Sequence, residues 1–195
     1  MEDAATLTRR AIRLEYFTIA WNILEAIVAL VAGWMAGSIA LEGFGLDSII
    51  ETVSGLTLLW RFRQHRLAEE HAETLAVRVV GLTFFALAAY VACEAGADLW
   101  RRRPPKFSLP GIILAALSLI VMPVLGTAKR RLARRLRSRA LSADSMETFL
   151  CSFLSAALLV GLGLNGLFRW WWGDPIAALA MAAFMAHEGV KAFSD

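Results

Sequence analysis

Six stretches of the chain, roughly residues 16–35, 39–60, 75–99, 109–128, 145–168 and 174–193, are mostly apolar and each about twenty residues long. A helix of about 20 such residues crosses the roughly 30 Å of hydrocarbon in a bilayer. Inside lipid every backbone amide needs an internal partner, which restricts spanning structures to helices and closed barrels. The connections of about 3 to 14 residues offer no alternating strand pattern. The sequence therefore predicts a single domain over residues 1–195, an all-α integral membrane protein of six transmembrane helices. Composition agrees, because 58% of residues are hydrophobic and 19% charged, against about 45–50% and about 25% in soluble domains. The first apolar run is too long for a signal-peptide core, so it is expected to remain in the mature protein.

Local signals set the boundaries. Gly37-Ser38 separates the first two spans, and Pro104-Pro105 with Pro110 opens the fourth. Asp174 and Pro175 read as N-cap and N1 of the sixth. Pro123 is expected to kink the fourth span, because its ring removes a helical hydrogen bond.

Of the 20 Lys and Arg residues, fifteen fall in the N-terminal segment, the stretches 61–78 and 129–139, and at Lys191. The other five are Arg101, Arg102, Arg103, Lys106 and Arg169. The bias puts both termini in the cytoplasm. The stretch KRRLARRLRSR lies between two spans, which favours anionic lipid over nucleic acid as its partner. Trp170, Trp171 and Trp172 at a span end read as interfacial anchors.

The residues that demand a reason are acids within the spans, each costing about 2.5–3.5 kcal/mol at the bilayer centre. Asp47 and Glu51 are four apart, which sets both carboxylates on one helical face. No Lys or Arg lies between Met35 and Trp60 to neutralise them. A divalent cation supplies the missing charge, and two carboxylates one turn apart form half a coordination shell. Glu147 and Cys151 repeat the spacing in the fifth span with an oxygen and a sulfur. For Cys151 taken alone, packing as a small apolar residue is the commoner role.

Three stretches, GSIALEGFGLDSIIETVSG (37–55), the run that begins SLPGIILAALS (108–118) and SRALSADSMETFLC (138–151), resemble spans two, four and five of the cation diffusion facilitators, which export divalent metals by proton antiport. The Gly-Asp-Pro opening of the last span is similar too. The resemblance implies that the family's ion-binding positions are Asp47, Glu51, Glu147 and Cys151. Only Asp47 keeps the family's commonest residue; the other three stand where Asp, His and Asp are usual. The chain resembles a short form of the family without the C-terminal cytoplasmic domain. The resemblance also implies a homodimer, which here would form through membrane helices such as the third span with its Gly81 and Gly96.

Other acids are open to two readings. Asn22 and Glu25 share a face of the first span, where Glu25 is either an accessory ligand or proton carrier, or a structural hydrogen-bond acceptor. Glu42 is either a guide for cations at the outer mouth or a solvated rim acid. Asp144 is expected to cap the fifth helix in preference to metal capture. His65, His71 and His187 have no ligand-like spacing to each other and are read as surface or interface residues. No Walker loop, dinucleotide fingerprint, nucleophile elbow or HExxH motif occurs, so neither enzyme chemistry nor ATP coupling is expected. The expectation is a proton-coupled exporter of divalent metal, zinc first, with iron, manganese or cadmium as other cargoes, embedded in a bacterial inner membrane and using no resident cofactor. A membrane metal sensor or partner subunit on the same scaffold, or an exporter of cationic drugs, are the alternatives.

Overall fold

The computed structural model describes residues 4–63 and 70–194 and holds six helices among them. They are α1 (Ala4–Ala36), α2 (Ile39–Arg63), α3 (Glu70–Arg101), α4 (Leu109–Leu136), α5 (Arg139–Phe168) and α6 (Gly173–Ser194). His65 lies outside the described residues, and so does the side chain of His71. By length and composition α1, α3, α4 and α5 can cross a membrane.

The helices run further than the apolar stretches. α4 continues to Leu136 and α5 already begins at Arg139, so the basic stretch is helical on both sides of a tight turn at 137–138. The turn closes because Arg137 adopts a left-handed conformation, φ 50°, and its amide bonds to the Ala133 carbonyl. Ser138 then caps α5, its hydroxyl accepting from the Leu141 amide at 3.2 Å. Asp144 therefore does not cap this helix: it sits in the second turn and faces inward. Ser108 caps α4 in the same way, accepting from the Gly111 amide, with Pro110 in the first turn. The helix runs through Pro123 without a break.

Asp174 also departs from expectation. α6 begins at Gly173, and the Asp174 carboxylate reaches across to α2, where it accepts from the Ser38 hydroxyl at 2.5 Å and the Ala40 amide at 3.4 Å. It thus satisfies the free amides at the start of α2 rather than those of its own helix.

The closest pairings are α4 with α5, α1 with α2 and α3 with α6. Small residues permit them. A Cβ on Gly45 would stand 2.9 Å from Leu30 and 3.1 Å from Ala29, and one on Gly126 would stand 3.2 Å from the Phe149 ring. Gly81, expected at a dimer face, instead backs onto Gly189 of α6 within the same chain, whereas Gly96 faces open space. Side chains are sorted opposite to a soluble protein. Ile27, Val31, Ile120, Val124 and Val160 lie exposed, while Glu15, Asn22, Glu25, Asp47, Glu51, Lys129 and Asp144 are buried. Trp34, Trp100, Trp170 and Trp172 are exposed near the C-terminal ends of α1, α3 and α5, as a belt at one interface requires.

Candidate metal site

The interior polar residues follow from helical periodicity. On α1, Glu15, Thr18, Asn22 and Glu25 recur at intervals of three and four and form one buried stripe. On α2 the stripe is Asp47, Ser48 and Glu51; on α5 it is Asp144, Thr148 and Cys151, with Ser155 beyond. Ser118 and Lys129 of α4 complete the ring. Contacts of α1 with α4 and of α2 with α5 bring the four stripes together.

Glu25 is the hub. Its Oε1 accepts from the Trp21 indole nitrogen at 2.6 Å and from the Ser118 hydroxyl. Its Oε2 accepts from the Ser48 hydroxyl at 3.3 Å and from the Cys151 thiol at 3.7 Å. One carboxylate therefore ties α1 to α2, α4 and α5. Asp47, 5% exposed, stands within the fields of Glu51 and Glu25, and Cys151 within those of Glu25, Glu51 and Asp47. Glu51 accepts from the Thr148 hydroxyl at 2.8 Å through Oε1, while its Oε2 has no partner. Asn22 lies beside Glu51, yet neither polar atom of its side chain completes a hydrogen bond.

Glu147 occupies a different position. It lies beside Ser54, partly buried, with Oε2 unpartnered and the charges of Asp144, Glu51 and Lys129 acting on it. Among the described residues no three His, Cys, Asp or Glu side chains are already gathered into a coordination geometry. What the bundle holds is a set of buried oxygens and one thiol whose hydrogen bonding is incomplete, which is chemistry suited to a cation that enters and leaves.

The second group was not expected. Lys129, assigned by sequence to the cytoplasmic basic stretch, is fully buried and pairs with Asp144 Oδ2 at 2.5 Å and Glu15 Oε2 at 3.1 Å. Glu51 of α2, with no Lys or Arg between Met35 and Trp60, thus feels one from α4. The signal for Glu15 lay in its seven-residue spacing from Asn22. Lys129 is one basic residue among seven in its stretch, and nothing but its register with Ser118 and Met122 set it apart. At the opposite end Glu42 accepts from the Tyr90 hydroxyl at 3.3 Å and packs on Gly33, partly buried between helices.

The sequence pattern of a family described as the cation efflux transmembrane domain matches residues 16–195, nearly the whole chain. The chain belongs to the cation efflux family. Cation efflux relatives include the cation-efflux pump FieF of Cronobacter sakazakii, 26% identical over 178 residues, covering 86% of this chain and 58% of the pump. The FieF pump of Klebsiella pneumoniae is 24% identical over 173 residues, 85% of this chain and 57% of that one. Transmembrane protein 163 of Xenopus laevis is 23% identical over 195 residues, 99% of this chain and 69% of the relative. The chain thus spans little more than half the length of the two pumps. Family membership and the four long apolar helices make this cation efflux protein an integral, multi-pass membrane protein.

Proposed function

We propose that this chain exports a divalent transition metal, zinc first, in exchange for protons, with Asp47, Glu51, Glu147 and Cys151 as the ligands and Glu25 as an accessory acceptor. In this reading all six helices span the bilayer, both termini are cytoplasmic, and the functional unit is a homodimer. The observation that carries it is the burial of Asp47, Glu51, Glu25 and Cys151 inside a bundle whose outer surface is apolar, with the Cys151 thiol 3.7 Å from Glu25 Oε2. Membership of a cation efflux family supports metal as the cargo.

The coupling follows from ligand chemistry. Carboxylates and a thiol bind metal only without their protons, so the two cargoes compete for the same atoms. A proton gradient then drives the metal out. A thiolate favours zinc or cadmium over magnesium, while the carboxylates keep manganese and iron as accessible cargoes.

Proteoliposomes with a zinc-sensitive dye and an imposed pH gradient test the reading. The wild-type chain is expected to move zinc only when protons can flow the other way, and Asp47→Ala is expected to abolish the flux with the protein still folded. Zinc binding without flux in the wild type would favour a sensor, and flux unaltered in Asp47→Ala would refute the assignment of the site.

A further inference from the structure

Among the described residues, Lys129 is a buried charge that cation transport does not call for. An ammonium buried beside acids meant for a divalent ion lowers the affinity of the site, because like charges repel strongly where water is scarce. It is also expensive to bury. Burial is nevertheless complete, and the side chain is held by one acid from α1, Glu15, and one from α5, Asp144. The charged groups that face it are Glu15 from α1, Glu51 from α2, and Asp144 and Glu147 from α5. Among the charges acting on Glu51, that of Lys129 is the strongest, ahead of Asp144.

The polar atoms left unpartnered cluster around this group. Glu51 Oε2, Glu147 Oε2, Asp144 Oδ1 and Glu15 Oε1 are all shielded from solvent without a hydrogen bond. Buried acceptors in such numbers call for positive charge or for protons. Lys129 supplies one unit of it.

We propose that the Lys129 ammonium is a tethered counter-cation for the transport site, balancing the acids of α2 and α5 while no metal is bound and competing with the metal once it arrives. This rests on the reading of Asp47, Glu51, Glu147 and Cys151 as the transport site. In the metal-free chain the ammonium pairs with Glu15 and Asp144 and so holds the helices α1, α4 and α5 together. An arriving divalent ion meets a second cation at the near edge of Glu51. The resulting repulsion holds affinity down and hastens release, which a transporter needs as much as binding.

The test compares wild type, Lys129→Arg, Lys129→Gln and the paired variant Lys129→Gln with Glu15→Gln, each in nanodiscs for zinc affinity and in proteoliposomes for turnover. The paired variant removes one charge of each sign and leaves at position 129 an amide that can donate to Asp144. With the competing charge gone it is expected to bind zinc about tenfold tighter and to turn over several-fold more slowly. Lys129→Arg keeps the charge and is expected to restore both values. A purely structural clamp would instead weaken affinity and turnover together, or leave both unchanged in the paired variant; either result overturns the proposal. If the wild-type chain itself binds no zinc, the transport-site reading falls first and this proposal with it. Wild-type binding that is lost in Asp47→Ala, with the paired variant unaltered, overturns the counter-cation alone.

Discussion

Replacing Lys129 with methionine is the perturbation whose stability cost the structure specifies best. Methionine has similar length and restores most of the packing volume, so the cost is electrostatic. The ammonium lies 3.1 Å from Glu15 Oε2 and 2.5 Å from Asp144 Oδ2, with side chains 0% and 3% exposed. At about 3 Å and an effective dielectric of about 20, each contact corresponds to roughly 5 kcal/mol of attraction, partly offset by repulsion between the two acids. Breaking a buried pair by removing one partner costs about 3–5 kcal/mol, because the remaining charge has no water to return to. For a chain of this size each kcal/mol shifts the melting point by roughly 2–4 °C, which gives a fall of about 6–20 °C. Tryptophan fluorescence during heating in detergent measures it, since the chain has seven Trp residues. Adding Glu15→Gln and Asp144→Asn removes the stranded charges and is expected to recover most of the loss. A Lys129→Met protein that melts within about 1 °C of wild type would refute the buried ion pairs.

Two further outcomes are expected. Cys151→Ser is expected to move selectivity away from soft ions, because a hydroxyl cannot replace thiolate bonding; competition between cadmium and manganese in transport measures it, and an unchanged ratio would mean that Cys151 only packs. Arg169 ends α5 in a left-handed conformation, φ 55°, which costs a side-chain-bearing residue roughly 1–2 kcal/mol; Arg169→Gly is therefore expected to raise the melting temperature by a few degrees, and a lower one would show that the arginine side chain stabilises the turn.

How far the sequence could be read depended on whether a residue acts through its own helix. Asp47 and Glu51 stand out because two like charges share a face in apolar surroundings, a conflict visible within one segment. The same holds for the six apolar stretches, which correspond to six helices. What was hidden involves partners from distant helices. Asp144 looked like a cap because caps are local, but Ser138 had the better position and Asp144 was left to meet Lys129 fifteen residues away in sequence. Asp174 looked like a cap for its own helix and serves α2 instead, 136 residues from Ser38. Lys129 carried no local mark, since six other basic residues surround it in the sequence and its burial depends on α4 extending past the apolar stretch. Glu25 could be read two ways, as ligand or as hydrogen-bond acceptor; its indole and hydroxyl donors and the neighbouring thiol show that it accepts hydrogen bonds from residues on its own helix and on α2, α4 and α5.

The ligand set is tested most directly by X-ray absorption at the zinc edge on the purified, zinc-loaded chain. The account predicts one sulfur scatterer near about 2.3 Å and oxygen scatterers at about 2.0–2.2 Å, with no imidazole signature. The sulfur contribution should disappear in Cys151→Ser, and stoichiometric zinc should disappear in Asp47→Ala. A first shell containing imidazole nitrogen and no sulfur would contradict the account, because neither α2 nor the Glu147–Cys151 turn of α5 contains a histidine.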